Sequence, residues 1–302
     1  MSPPSSLPDI GAAEPDLSTR LAPLRPRLHR YCARMVGSAL DAEDLVQDAY
    51  VKALLAEPAQ ADIANAEAWM FRVLHNLALD HLRRRAVRAI EAECGDPDTL
   101  ADAAADPRDE LARRQAGAAG LAVFMRLPAL QRGAVILVDV LEHATDEAAA
   151  VLGTTQPALK SALQRGRVNL RHWAGESPAP AASMQPDVHQ RLQTYADRFN
   201  AGDFAGLQAL LCDDVEIDLV NRVKLRGPPA RQYFGRYQAA EPWVASVGWV
   251  EGQPAVLLCR PGDPSGHVGS FLIPEWQGDR IAAIRDYLFA PYVLDGAAVS
   301  RC

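Results

Sequence analysis

The chain has 302 residues, 49% of them hydrophobic and 23% charged, with a formal net charge of -7, a balance that suits a globular protein of two or more domains. No apolar stretch reaches membrane-spanning length, so no membrane is expected as a partner. The five cysteines, at 32, 94, 212, 259 and 302, are odd in number and form no C-x-x-C or Cys/His cluster, so neither a disulfide scaffold nor a metal site is indicated and a reducing cytoplasm fits.

Residues 1–19, which include MSPPSSLPDIGAAEPD, read as a disordered lead without a charged-then-apolar signal pattern. From Leu40, the run LDAEDLVQDAYVKALL places Leu45, Val46, Ala49, Ala53 and Leu54 on one helical stripe. Asp41, Glu43, Asp44, Gln47 and Asp48 fall mostly outside that stripe, and such an acidic face calls for a basic protein partner rather than phosphate. After a looser stretch at 57–65, AWMFRVLHNLALDHLRRRAVR resumes helical spacing. Met70, Val73, Leu74, Leu77 and Leu82 form its apolar side, and Arg72, Asn76, Asp80 and Arg83 its polar side. It closes on Arg83, Arg84, Arg85 and Arg88, more cations than complementing a helix C-terminus requires and suited to a phosphate backbone. The segment ECGDPDTLADAAADPRDE has little to bury and reads as a linker.

Residues 126–171 read as a helix-turn-helix. Two helical patterns, at 146–152 and 156–171, are joined only by Gly153, Thr154 and Thr155. Leu159, Leu163, Gly166 and Leu170 face inward at helical spacing, and Gln156, Lys160, Ser161, Gln164, Arg165 and Arg167 face outward. Amide and cationic side chains are thus offered to base edges and phosphates in a major groove. Thr155 is expected to cap the second helix, with Pro157 in its first turn, and Thr145 to cap the first. Net acidity does not contradict this. Residues 91–110 carry eight acidic side chains and one basic, and residues from 176 onward carry fifteen and eleven, so the remainder has nineteen basic against fifteen acidic.

The acidic helix DAEDLVQDAYVKAL, then AWMFRVLHNLALDHLRRR, then LPALQR and a helix-turn-helix ending in SALQRGRVNLR, in this order, resemble the extracytoplasmic-function RNA polymerase sigma factors over residues 20–173. The resemblance implies that Asp41, Asp44, Leu45, Gln47 and Asp48 lie on a helix that docks on core RNA polymerase. It implies that Arg72, Asn76, Asp80, Arg83, Arg84 and Arg85, with the loop before Trp69, engage the minus-ten element of promoter DNA. Thr155, Gln156, Lys160, Ser161, Gln164, Arg165 and Arg167 would read the minus-thirty-five element. A cationic surface suits melted DNA and a major-groove helix suits closed duplex, so the physical logic agrees.

ESPAPAASMQPD forms a second linker, and about 115 residues follow, enough for another domain. An amphipathic helix, the turn Asn200-Ala201-Gly202-Asp203, a short helix and the alternating Val215, Ile217 and Leu219 open it. Strands are expected at 243–250, 255–260, 267–273 and 280–289, so helices come first and antiparallel strands follow, an α+β cone. This layout resembles the SnoaL-like, ketosteroid-isomerase-like superfamily, and a sigma factor subgroup carries such a domain for regulation in cis. Members often have a D-G-G-G-R/K signature. Here DLVNRVKLRG at 218–227 keeps Asp218, a basic residue and Gly227 without the glycine run.

The expected architecture is therefore multidomain: two all-α sigma domains, a helical bundle and a helix-turn-helix, followed by an α+β SnoaL-like cone. Its expected bounds are a lead at 1–19, sigma region 2 at 20–90, an acidic linker at 91–112, sigma region 4 at 113–174, a linker at 175–187, the cone at 188–295 and a tail at 296–302. The free chain is expected to be monomeric, with no cofactor and no activity as an enzyme. Superfamily catalysis uses carboxylates or histidine in an apolar cavity, so Asp218, Tyr233, His267 and Asp286 are the residues that would serve it, with Trp243, Trp249, Trp276 and Phe289 as pocket walls for a small-molecule ligand or simply as core. Two functional classes follow: a transcription initiation factor regulated by its cone, and a DNA-binding regulator fused to a catalytically active or ligand-sensing isomerase or cyclase. An open pocket with a perturbed carboxylate would favour the second. A cone face packed on the helical core would favour the first.

Overall fold

The computed structural model describes residues 21–56, 66–94, 124–173, 184–235, 237, 242–263 and 266–301. The lead at 1–19 lies outside them, as do the linkers except at their ends. After a short 3-10 turn at Ala22–Leu24, α1 spans Arg25–Val36, α2 Ala39–Ala56 and α3 Ala66–Cys94. The helix-turn-helix module comprises α4 at Ala129–Val135, a π turn at Ile136–Val140, α5 at Thr145–Val151 and α6 at Gln156–Trp173. The α+β unit opens with α7 at Pro186–Asn200 and α8 at Phe204–Ala209.

Helix α1 is not among the expected elements, because its buried face carries Arg25 and His29 among the apolar residues and blurs the periodicity. It ends at Gly37, whose φ of 81° gives the left-handed cap that returns an N–H to the Ala33 carbonyl. Helix α2 packs on α1 through Ala42, Leu45, Val46, Ala49 and Ala53, all buried. Two positions differ from expectation. Glu43 is only 2% exposed, and Leu54 is 47% exposed.

Seven strands form one sheet: β1 Leu211–Leu219, β2 Val223–Arg226, β3 Val244–Val250, β4 Gln253–Cys259, β5 Val268–Gln277, β6 Arg280–Asp286 and β7 Val299–Arg301. Their order is β2-β1-β6-β5-β4-β3-β7, antiparallel throughout except for the parallel β1–β6 pair. The four-residue β2 and three-residue β7 are too short and polar to announce themselves by alternation. Residues 296–302, expected as a tail, include β7, which pairs with the end of β3.

The central strands are buried on both faces. In β4, Val256 and Leu258 point into the core beneath α7, with Tyr195, Phe199 and Phe234. Ala255 and Leu257 point the other way, into a core continuous with Tyr31, Met35, Val36, Leu45 and Val46 of the helices. That is why PAVLLC is an unbroken apolar run and not an alternating one. The α+β face is therefore packed on the helical core, the arrangement that favours the first of the two functional classes.

The helix-turn-helix module is also packed on α1 and α3. Arg132, 5% exposed, donates to the carbonyl of Met35, and to those of Met125 at 3.0 Å and Leu127 at 2.9 Å. His143 lies edge-on to Phe71, with ring centroids 4.9 Å apart, between Arg27, Glu67 and Glu147. Burial and the nearby Arg27 hold its pKa below the usual histidine value.

Candidate functional site

Helix α2 offers its acidic residues unequally. Asp44, Gln47 and Asp48 are exposed and Asp41 is half-buried, whereas Leu45 is 5% exposed and belongs to the core. Asp44 is paired with Arg285 of β6 at 2.6 Å, Asp41 lies 3.6 Å from His81, and Gln47 accepts from Arg25 at 2.7 Å. Sequence reading gave Val51 and Leu55 no role and put Leu54 on the buried stripe. Val51, Leu54 and Leu55 are 46%, 47% and 78% exposed. At about 100° per residue, Asp44, Gln47, Asp48, Val51, Leu54 and Leu55 share roughly one third of the helix circumference, one acidic and apolar face.

Beneath this face lies a buried polar network. Arg25 of α1 donates to Glu43 at 2.5 Å and to the Tyr292 hydroxyl at 2.7 Å, and that hydroxyl donates to the second Glu43 oxygen at 3.0 Å. Tyr292 comes from the 3-10 turn Pro291–Val293 of the α+β unit, so the network joins two domains. Burial pushes the Glu43 carboxyl up, and Arg25 and Tyr292 pull it back.

On α3, Arg72, Asn76, Asp80, Arg83 and Arg84 are exposed, and Arg85 is half-buried with a 3.4 Å bond to the Val36 carbonyl. Arg83 pairs with Asp80 at 2.7 Å, while Arg72 donates to the carbonyl of Ala150 in α5 at 2.8 Å. The loop before Trp69 lies at 57–65, outside the described residues.

In the helix-turn-helix, Leu159, Ala162, Leu163 and Gly166 are buried, while Gln156, Lys160, Ser161, Gln164, Arg165 and Arg167 are exposed, as the spacing predicts. Thr155 caps α6 through the Ala158 N–H at 3.4 Å. Thr145 is the first helical residue of α5 instead of its cap. Glu147 fills that need by accepting from the Ala144 N–H at 3.3 Å, leaving the Thr145 hydroxyl to take a bond from Gln156 at 3.0 Å. Arg167 forms a two-pronged pair with Asp139, and Arg165 donates to Ser161 at 2.8 Å. Lys160, Gln164 and Arg165 thus form an outward cationic and amide surface.

Of the pocket candidates in the α+β unit, the structure brings Tyr233 and Asp286 together, and Asp218, Trp243 and His267 lie apart from them. Tyr233 and Tyr237 both donate to Asp286, at 2.8 and 2.7 Å, and the other Asp286 oxygen accepts from the Leu288 N–H at 2.9 Å. Asp286 is fully buried there among Tyr195, Phe199 and Phe234. Asp218 lies elsewhere, paired with Lys224 at 3.2 Å. Trp243 lies under the Arg260 guanidinium, and His267 is exposed just before β5. Asp218 and Asp286 lie on opposite faces because β1 and β6 pair Asp218 with Arg285 and Leu219 with Asp286, whereas Trp243 and His267 lie just before β3 and β5. Crevices of about 370 and 640 Å³ run instead between α2 and strands β1, β2 and β6, past Asp44, Gln47, Asp218 and Lys224. Among the described residues there is no group of three or more potential metal ligands, and no helix is long and apolar enough to cross a membrane.

Comparison with known proteins accounts for both helical modules. Residues 21–88 match the Sigma-70 region 2 family and residues 121–170 match Sigma-70, region 4. The extracytoplasmic-function sigma factor SigG of Mycobacterium tuberculosis is 28% identical over 254 residues, covering 77% of this chain and 66% of SigG. The chain thus spans just under two thirds of that relative. SigM of the same organism is 30% identical over 149 residues, covering 49% of this chain and 72% of SigM. The crystal structure of M. tuberculosis SigJ aligns over 89% of this chain and 95% of SigJ, at 21% identity and a TM-score of 0.36. On the two region matches and the SigM relationship, the chain belongs to the extracytoplasmic-function RNA polymerase sigma factor family.

Proposed function

We propose that this chain binds core RNA polymerase through the acidic and apolar face of α2 and directs promoter-specific initiation. On this reading the units at 20–90 and 113–174 are the polymerase-binding and DNA-reading modules, and 188–295 is a SnoaL-like regulatory domain acting in cis. Helix α3 holds the minus-ten element and α6 reads the minus-thirty-five element. The observation that carries the reading is the division of charge over surfaces: carboxylates on the exposed face of α2, cations and amides on those of α3 and α6.

Elements about 25 base pairs apart are separated by on the order of 85 Å of duplex. In the structure α3 touches α5, so initiation requires the two modules to separate. The α+β unit acts as a regulator and not through Asp286 as a general base, because that carboxylate is enclosed and has both oxygens engaged.

The test is promoter-directed transcription with purified core polymerase. Replacing Lys160→Ala together with Arg165→Ala removes two exposed cations from α6 and is expected to lower initiation at least tenfold while polymerase association stays at the wild-type level. Unchanged initiation would remove α6 from DNA reading.

A further inference from the structure

The exposed face of α2 has two halves. Its N-terminal half is held by the α+β unit, and its C-terminal half is uncovered by any of the described residues. The main holding residue is Glu251, the first residue of a two-residue hairpin between β3 and β4, with φ of 50° followed by Gly252 at 74°. Such turns draw Asn, Asp or Gly at that position because the left-handed backbone strains other side chains. A glutamate there is accounted for by its carboxylate, which is 5% exposed and aimed at the start of α2. It accepts from the Ala39 N–H at 2.6 Å, the Leu40 N–H at 3.3 Å and the Ser38 hydroxyl at 2.9 Å. Ser38 in turn serves the next two N–H groups, through Oγ to Asp41 at 3.0 Å and through its carbonyl to Ala42 at 3.1 Å. The whole first turn is satisfied, half of it by another domain.

One turn along, Arg285 sits on Asp44 at 2.6 Å. This pair shows what Asp44 accepts from a partner, a guanidinium. Beyond Asp48 the same face continues as Val51, Leu54 and Leu55, exposed and continuous with the acidic half. A partner that fits all of it is a helical surface carrying basic side chains, whose charged ends meet Asp44 and Asp48 and whose aliphatic stems cover the apolar stripe.

We propose that the α+β unit and core RNA polymerase compete for the N-terminal half of α2, and that polymerase gains its first hold on Val51, Leu54 and Leu55 before displacing Arg285 from Asp44 and Glu251 from the helix start. The inference rests on α2 being the polymerase-binding helix. It makes Arg285 a stand-in for a polymerase cation, and it makes Glu251 a positioning residue that sets how much of the helix is available.

Association of the full chain with immobilised core polymerase tests this, with hydrogen exchange at the Ala39 and Leu40 amides reporting the clasp without polymerase. Glu251→Ala is expected to speed that exchange and to tighten the apparent Kd on the order of tenfold, the equilibrium change typical of losing a side-chain helix cap. Arg285→Gln, which removes the pair with Asp44 and the guanidinium's contact with the Tyr287 ring, is expected to tighten it about threefold and serves if Glu251→Ala perturbs the fold. Leu55→Glu is expected to slow association about tenfold with amide exchange unchanged. Faster exchange without tighter binding, or a Leu55→Glu chain that associates at the wild-type rate, overturns the inference. If neither the wild type nor any variant binds core polymerase, it is the polymerase reading of α2 that fails.

Discussion

Glu43 and Asp44 are adjacent carboxylates, each facing an arginine, and their surroundings give them different weights. Glu43 and Arg25 are 2% and 8% exposed at their side chains, with Tyr292 completing the network. Removing one member of such a buried pair strands the other charge, at a typical cost of about 3–5 kcal/mol. Asp44, with a side chain 60% exposed, belongs to the class of surface pairs worth about 0–1 kcal/mol. Glu43→Ala is therefore expected to lower the unfolding free energy by about 3 kcal/mol, and Asp44→Ala by less than 1, in urea denaturation. Equal effects would contradict this ranking. Glu251 belongs with Glu43: burial pushes its carboxyl up, and the N–H and hydroxyl donors of residues 38–40 hold it back.

At the level of elements, legibility followed the regularity of burial. Helix α6 was readable because one face is buried and the other exposed along its whole length, and its inward and outward residues fall where spacing puts them. Gly166 lies on the buried side because α4 approaches closely: a Cβ there would sit 2.7 Å from Val135 Cγ2 and 3.2 Å from the Gln131 carbonyl oxygen. Gly166→Val is expected to cost about 2 kcal/mol by overpacking, measured by thermal unfolding. Gly166→Ala should cost less, since helix propensity returns about 1 kcal/mol. A stable Gly166→Val protein would show that α4 and α6 can shift apart. Helix α1 escaped the sequence reading because two buried polar residues, Arg25 and His29, find partners only in the tertiary structure. Strands β2 and β7 escaped because pairing, and not composition, makes them strands. The acidic face of α2 was legible, but its cover was not: Glu251, Arg285 and Tyr292 come from more than 200 residues away. The one local trace was a glutamate in a turn that favours asparagine, aspartate or glycine.

Across the whole molecule, three domains share packing that the proposed binding to both promoter elements must undo. The helix-turn-helix rests on α1 and α3, and the α+β sheet rests on α1 and α2 through one continuous core. Histidines lie within this packing. Burial lowers His29 to about 4 while it is bonded to the Ala39 carbonyl and stacked edge-on to Tyr292, and burial lowers His75 to about 4 while it is bonded to Tyr31. Both are neutral in the fold, and an unfolded chain takes up protons near pH 6.5 that the fold refuses. Their contribution is complete above about pH 6.5 and is lost as pH falls toward 4, which amounts to about 2 kcal/mol per histidine at pH 5. Between pH 7 and pH 5 the wild type should therefore lose about 2 kcal/mol more stability than His29→Asn, by urea denaturation at each pH. Parallel losses would show that His29 charges freely in the fold.

The central claim is that one chain divides its work by charge, carboxylates for the polymerase and cations for DNA. Promoter-directed initiation by purified core RNA polymerase, with and without the full chain, measures it most directly. The account predicts initiation at a defined start site only when the chain is present, and increased initiation when Arg285→Gln loosens the clasp on α2. Failure of the wild type and of Arg285→Gln alike to direct initiation at any promoter of the host genome would contradict it.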